Sequence, residues 1–127
     1  MMTEAPEILA EFDRWNAALQ SQDPQSVAAL YAPDAILLPT VSNEVRHNHA
    51  EIAEYFERFL LKRPEGRLSE SNVRIFGDLA INSGTYVFTL TIARKKVEVR
   101  ARFTFVYRKY ADGWQIIEHH SSVYPEE

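Results

Sequence analysis

Residues 96–124 read "KVEVRARFTFVYRKYADGWQIIEHHSSVY", and this stretch decides the fold. Two runs rich in β-branched and aromatic residues flank the turn sequence "ADG", a pattern typical of paired antiparallel strands. Gly113 suits the left-handed position of a three-residue loop with a bulge, so Tyr110 is expected to pair with Trp114.

The alternation of side chains along these strands separates the two histidines. The register predicts the cross-strand pairs Phe105–His119, Thr104–His120 and Arg102–Ser122. One face would carry Arg100, Arg102, Thr104, Glu118, His120 and Ser122. The other would carry Val99, Phe103, Phe105, Tyr107, Ile117, His119 and Val123. His119 and His120 therefore point to opposite faces and cannot bind one metal ion in regular β geometry.

The polar face of this hairpin has two interpretations. In the first it lines a pocket, where Arg100 and Arg102 would orient an acidic or carbonyl ligand and His120 would exchange a proton, with Glu118 fixing the histidine or pairing with an arginine. In the second these charges form the solvated face of an antiparallel sheet. The first is favoured, because a terminal strand beside N-terminal helices leaves room for a cavity.

Working outward, helical periodicity marks the N-terminal half. A helix is predicted over residues 5–20, with the stripe Ile8, Leu9, Phe12, Trp15 and Leu19. Asp23 and Pro24 would cap and start a short second helix, which Pro33 ends. After the short strand "AILLP", the segment "HAEIAEYFERFLLK" is predicted as a third helix. The remaining strand candidates are "RLSESNVRIF" and "LAINSGTYVFTLTIA".

This order of elements predicts an α+β domain, with N-terminal helices packed on a curved antiparallel sheet. Residues 1–127 are expected to form one domain. Both faces of the long strands carry apolar bulk, and one helical layer covers only one face. Aromatic residues on the uncovered face would mark a subunit interface, and Tyr31 would either donate a hydrogen bond to a ligand or belong to the core, the second being favoured.

The composition narrows the class of protein. A net charge of -4 argues against a nucleic-acid binder, and the absence of cysteine excludes thiol chemistry and disulfides. No signal peptide or membrane span stands out, so a cytoplasmic protein without membrane contact is expected. The four glycines are dispersed, so no nucleotide-binding loop is expected and no cofactor is predicted. No metal site is predicted either, although His47 and His49 have ligand-like spacing.

The motifs "LYAPDA", "IAEYFERFL" and "GTYVFTL…RFTFVYRK…DGWQIIEHHSS" give the chain a resemblance to a known family. The chain resembles the nuclear transport factor 2-like, cone-shaped α+β fold and, within it, SnoaL-like proteins. It is most similar to stand-alone bacterial relatives of the association domain of calcium/calmodulin-dependent protein kinase II. The resemblance implies a homo-oligomer, a dimer or a larger ring, with a deep pocket.

The family pattern W-Q-x-x-x-x-H-x-S matches Trp114, Gln115, His120 and Ser122, so the resemblance selects His120 as the pocket histidine. The pocket arginines of that family are replaced here by Phe105 and by Val87 or Phe88.

Two functions remain open on the sequence. The first is a homo-oligomerising domain with a pocket for a small acidic or carbonyl-bearing ligand, bound by Arg100, Arg102, Glu118, His120, Ser122 and Tyr31. The second is a small cofactor-independent enzyme of the isomerase, dehydratase or cyclase type, with His120 as its acid or base.

Overall fold

The fold is taken from a computed structural model, which describes residues 5–40 and 42–125. Its helices are α1 (Ala5–Gln20), α2 (Pro24–Ala28) and α3 (His49–Phe59), the last followed by a 3₁₀ turn (Leu60–Lys62). Its strands are β1 (Tyr31–Leu38), β2 (Glu65–Phe76), β3 (Leu79–Ile92), β4 (Lys95–Tyr110) and β5 (Gly113–Val123). The predicted α+β architecture, with N-terminal helices on a mostly antiparallel sheet, is confirmed.

The described strands form one sheet in the order β1-β5-β4-β3-β2. Strand β1 runs parallel to β5, and the other neighbours are antiparallel. Strand β1 begins four residues before the predicted "AILLP" and includes Pro33. The register of β1 shifts between Tyr31 and Ile36, and an irregular edge strand is where a proline without an N–H group is tolerated.

The predicted helix starts are confirmed by their capping contacts. The Asp23 carboxylate accepts a hydrogen bond from the Gln25 N–H group at 3.1 Å, and Pro24 occupies the first helical position. Helix α2 ends at Ala28, well before the predicted stop at Pro33. Helix α3 is capped by the Asn48 side chain, which accepts from the Glu51 N–H group at 2.9 Å.

The β4–β5 hairpin confirms part of the predicted register. Phe105 lies opposite His119 as expected, but Tyr110 pairs with Gly113 and not with Trp114. The turn therefore has two residues, one fewer than predicted. A bulge that leaves Ile117 without a partner restores the predicted pairing from Glu118 onward. This bulge reverses the alternation along β5.

The reversal places two pairs of β5 residues on the helix-covered face, Trp114 with Ile116 before the bulge and His119 with Ser121 after it. All four side chains are buried. A regular strand would instead have placed His120 on the same face as Trp114 and Ile116. The bulge thus decides which histidine enters the interior.

The aromatic core lies between the helices and this inner face of the sheet. Trp15 of α1 is at its centre and is 2% exposed. Its ring stacks on Tyr86 at a centroid distance of 6.2 Å and meets Phe105 edge-on at 5.4 Å. The aromatic residues of β3 and β4 that were considered for a subunit interface, Tyr86, Phe88, Phe103, Phe105 and Tyr107, are all buried in this core. The expectation of aromatic residues on the uncovered face was wrong for these five.

Candidate functional site: a neutral cavity between the helices and the sheet

A small cavity lies at the inner face of the sheet, below α3. Its polar lining consists of Thr40, Tyr55, Tyr86, His119 and Ser121. The rest of the lining is aromatic or aliphatic, and includes Trp15, Phe56 and Phe88. The free volume is about 10 Å³, which is room for one water molecule.

His119 is held by two tyrosines from two other strands. Its Nδ1 atom lies 2.8 Å from the Tyr31 hydroxyl, and its Nε2 atom lies 3.3 Å from the Tyr86 hydroxyl. The imidazole stacks on the Phe105 ring at a centroid distance of 3.9 Å and meets Trp15 edge-on at 5.5 Å. These contacts leave the ring one orientation.

The hydrogen bonds continue from His119 in both directions. On one side the Trp15 indole N–H donates to the Tyr31 hydroxyl at 3.2 Å. On the other side the Tyr86 hydroxyl lies 2.6 Å from Ser121 Oγ, which is also hydrogen-bonded to Thr40 Oγ1. The result is one continuous chain of side chains from α1 to the cavity.

Burial keeps the hydrogen-bonded side chains, and Tyr55 of the cavity lining, uncharged. Desolvation, together with a smaller contribution from neighbouring His120, lowers the pKa of His119 from 6.5 to about 3. Burial likewise raises the pKa values of Tyr31, Tyr55 and Tyr86 above 10. At pH 7 these four groups are therefore neutral, so this region offers hydrogen bonds and apolar contact but no charge.

Positive charge lies instead at the mouth of the cavity. A surface depression of about 220 Å³ is lined by Ser42, Arg46, Tyr55, Arg58, Phe59 and Lys62. Arg46 is 5% exposed and is paired with Glu54 at 2.7 Å and Glu44 at 3.5 Å. Within residues 5–40 and 42–125, Arg58 and Lys62 form no ion pair.

Two aromatic side chains separate the cavity from this depression. Tyr55 and Phe59, one helical turn apart on α3, line both spaces. Their rings stack at a centroid distance of 5.7 Å, and the Tyr55 hydroxyl donates to the Thr40 carbonyl oxygen at 3.1 Å. A rotation of this pair would join the two spaces.

The predicted polar set lies on the other side of the sheet. The structure brings its five β4 and β5 members together on the outer face, Arg100, Arg102, Glu118, His120 and Ser122. Four of them are exposed and Ser122 is half-buried. The placement of His120 in a cavity between helices and sheet is therefore wrong, because charged side chains stay in water and the bulge turns His119 inward.

Two further consequences follow for the predicted site. Tyr31 is fully buried, and its hydroxyl contacts Trp15 and His119, so it holds the core position favoured on the sequence. A general acid or base works best with a pKa near 7, whereas the inner groups are neutral and His120 faces outward. Acid–base catalysis by His120 and ligand binding by the outer set stay predictions.

The two histidines of the "HNH" stretch form hydrogen bonds with different partners. His47 Nδ1 lies 2.9 Å from a Glu51 carboxylate oxygen, and His49 Nε2 donates to the Tyr31 carbonyl oxygen at 2.7 Å. Across the described part of the chain, no three His, Asp or Glu side chains are grouped to hold a metal ion.

Sequence reasoning missed His119, Ser121, Thr40 and the mouth residues. His119 falls on the apolar face of the predicted hairpin, and the predicted site uses only the polar face. A signal was present, since a histidine and a serine two residues apart on an apolar face need hydrogen-bond partners when buried.

Known structures define the class of fold. A nuclear transport factor 2-like protein from Novosphingobium aromaticivorans matches with a TM-score of 0.82 at 16% identity, over 99% of this chain and 85% of that one. The hub of calcium/calmodulin-dependent protein kinase II from S. rosetta matches with a TM-score of 0.79 at 20% identity, over 94% of this chain and 95% of that one. The chain therefore has the cone-shaped nuclear transport factor 2-like fold.

The family follows from two closer matches. The profile of the calcium/calmodulin-dependent protein kinase II association domain matches residues 4–125. A protein from Xanthomonas campestris, described as a candidate for this domain, is 53% identical over 98% of this chain and 90% of its own length, with a TM-score of 0.95. The chain belongs to the calcium/calmodulin-dependent protein kinase II association domain family. A search of the curated proteins finds no match.

None of the helices in the described part of the chain combines the length and the apolarity that a bilayer crossing requires.

Proposed function

We propose that this chain is a self-associating domain that binds a small acidic ligand, with the ligand's neutral part in the cavity beside His119 and Ser121. One observation carries the ligand half: only the Tyr55–Phe59 pair separates a neutral cavity from a depression with cationic side chains. Family membership supports the self-associating half. The cytoplasmic location and the catalytic alternative remain predictions.

The charge distribution supports the acidic class of ligand. The cavity lining holds no charged side chain, so burying a carboxylate there would carry a large desolvation cost. Arg58 and Lys62 at the mouth would hold the carboxylate while it stays partly in water. Because the closed cavity has room for one water molecule, Tyr55 and Phe59 would have to rotate before the ligand's uncharged end reaches Ser121.

Neutralising the mouth tests this orientation. Replacing Arg58 and Lys62 together with glutamine is expected to weaken binding of 4-oxopentanoate, which carries a carboxylate and a ketone, about tenfold, which corresponds to roughly 1.4 kcal/mol. The measurement is titration calorimetry or ligand-observed NMR. The control is Arg63→Gln, an exposed cation just beyond the depression, which is expected to bind as the parent does. Equal binding by the double variant and the parent would contradict the orientation.

The outer face of the sheet supports the self-associating half. Its centre carries the apolar pair Ile81 and Val106, which lie opposite each other across β3 and β4, and Val87 lies further along β3 between Arg67 and Arg100. Arg102 and Glu118 lie nearby on β4 and β5. A two-fold interface applies the same patch on both subunits, so a face with an apolar centre and both signs of charge can pair with itself.

A charge at the centre of the outer face is expected to split the assembly. The variant Val106→Asp buries an unpaired carboxylate in the interface, so the dissociation constant is expected to rise at least about 100-fold. Val97→Asp makes the same change on the same strand, at an exposed position on the opposite face. Sedimentation velocity is expected to show Val97→Asp assembled and Val106→Asp monomeric; equal behaviour of the two would contradict an outer-face interface.

A further inference from the structure

The hydrogen-bond chain around His119 has a direction, because its first member can only donate. The Trp15 indole N–H donates to the Tyr31 hydroxyl and has no acceptor capacity of its own. The Tyr31 proton must therefore find another acceptor. The acceptor within reach is His119 Nδ1 at 2.8 Å, so Nδ1 carries no proton.

This assignment fixes the rest of the chain. A neutral imidazole without a proton on Nδ1 carries it on Nε2, which then donates to the Tyr86 hydroxyl at 3.3 Å. Tyr86 in turn donates its own proton to Ser121 Oγ at 2.6 Å. Ser121 and Thr40 are hydrogen-bonded to each other and hold two hydroxyl protons between them. One of these protons forms that bond, and the other is left over at the cavity.

The Nδ1–H tautomer reverses the direction of the hydrogen bonds between Tyr31 and Thr40. If Nδ1 carried the proton, it would donate to Tyr31, whose own proton would then lack an acceptor among Trp15 and His119. Tyr86 would donate to Nε2, Ser121 to Tyr86 and Thr40 to Ser121, leaving no hydroxyl proton over at the cavity. Each arrangement thus leaves one hydroxyl proton over. The one on Ser121 or Thr40 lies at the cavity, where there is room for a water acceptor, whereas Tyr31 does not line the cavity. A buried hydroxyl without an acceptor costs about 1–3 kcal/mol, so the Nε2–H tautomer is preferred by roughly five- to 150-fold.

We propose that His119 is a positioning residue: held as the Nε2–H tautomer, it makes the Ser121–Thr40 pair present a hydrogen-bond donor to the cavity, which selects ligands with a neutral acceptor such as a carbonyl oxygen. This rests on the proposed ligand cavity and adds which end of the ligand enters it. A ligand that only donates would leave the surplus hydroxyl proton without a partner.

The tautomer is tested first, without any ligand. Long-range ¹H–¹⁵N NMR of the full-length chain is expected to show His119 as the Nε2–H tautomer at pH 7. In Ser121→Ala each tautomer leaves one tyrosine proton without an acceptor, so a mixture is expected. The adjacent, half-buried Ser122→Ala lies on the outer face and is expected to keep the Nε2–H tautomer. An Nδ1–H tautomer in the parent chain, or an unchanged tautomer in a folded Ser121→Ala, would overturn the proposal.

The selectivity is tested with two uncharged five-membered rings, so that the cations at the mouth act equally on both. Cyclopentanone only accepts hydrogen bonds and pyrrole N–H only donates. Cyclopentanone is expected to shift the amide signals of Thr40 and Ser121 with at least about fivefold higher affinity. Equal affinities would overturn the proposed selectivity. If neither ring shifts these signals but His119 is the Nε2–H tautomer, the ligand half of the proposed function is wrong. The proposed direction of the hydrogen bonds around His119 would still be supported.

Discussion

Replacing His119 with glutamine is expected to remove about 2 kcal/mol of pH dependence from the unfolding free energy between about pH 6.5 and 4.5. The pKa of His119 is about 3 in the folded protein and 6.5 as a free side chain. In that window the unfolded chain binds a proton that the folded chain does not. Stability is therefore complete above pH 6.5 and falls as the pH decreases, by up to about 1.4 kcal/mol per unit.

The environment of His119 isolates this effect. The side chains against its ring are Tyr31, Tyr86, Trp15 and Phe105, and none of them ionises below pH 7. Carboxylates elsewhere contribute equally to both proteins, so the difference between parent and variant reports on His119. Urea unfolding at a series of pH values gives the two curves. His120→Gln removes only the smaller of the two causes of the His119 shift, so it is expected to keep most of the parent's pH dependence. A His119→Gln curve parallel to the parent would contradict the burial of a neutral His119.

Replacing Gly84 with alanine is expected to destabilise the fold by about 3 kcal/mol, lowering the melting temperature on the order of 10 °C. A methyl group at Gly84 would lie 1.9 Å from the Glu70 carbonyl oxygen. The register of β2 against β3 shifts between Leu68 and Glu70, which leaves Ser69 unpaired. Since the clash is with backbone of the neighbouring strand, no side-chain rotation relieves it.

Gly77→Ala is the matched control for this effect. Gly77 has a φ of +64° and no atom within 4 Å of the added methyl group, so its cost is conformational, about 1 kcal/mol. Thermal unfolding of both variants separates the two causes. A Gly84→Ala protein as stable as Gly77→Ala would contradict the close approach of β2 and β3.

Local sequence rules predicted most of the elements because each rule acts within a few residues. Asp23 with Pro24 marked a helix start, and the apolar stripe ending at Leu19 marked the buried face of α1. The β3–β4 turn shows their limit. Ala93 and Arg94 adopt positive φ angles of 53° and 67° although neither is a glycine, so the residue types at these positions do not predict the turn.

The candidate site was harder to predict because it depends on one unpaired residue. Up to Ile116 the buried side chains of β5 alternate regularly, and the bulge at Ile117 then exchanges the faces of His119 and His120. No turn residue or charge signals that bulge, which arises from pairing two long strands over a two-residue turn. The cross-strand pairs of β4 and β5 were predictable; the face that lies under the helices was not.

In the proposed function the inner cavity and its cationic mouth, and not the outer face, receive the ligand. An NMR titration of the ¹⁵N-labelled chain with 4-oxopentanoate, which carries a carboxylate and a ketone, tests it directly, because amide shifts report where the ligand sits. Concentration-dependent shifts are expected at Thr40, Tyr55 and Ser121. Shifts confined to Arg102, His120 and Ser122, or no shifts at all, would contradict it.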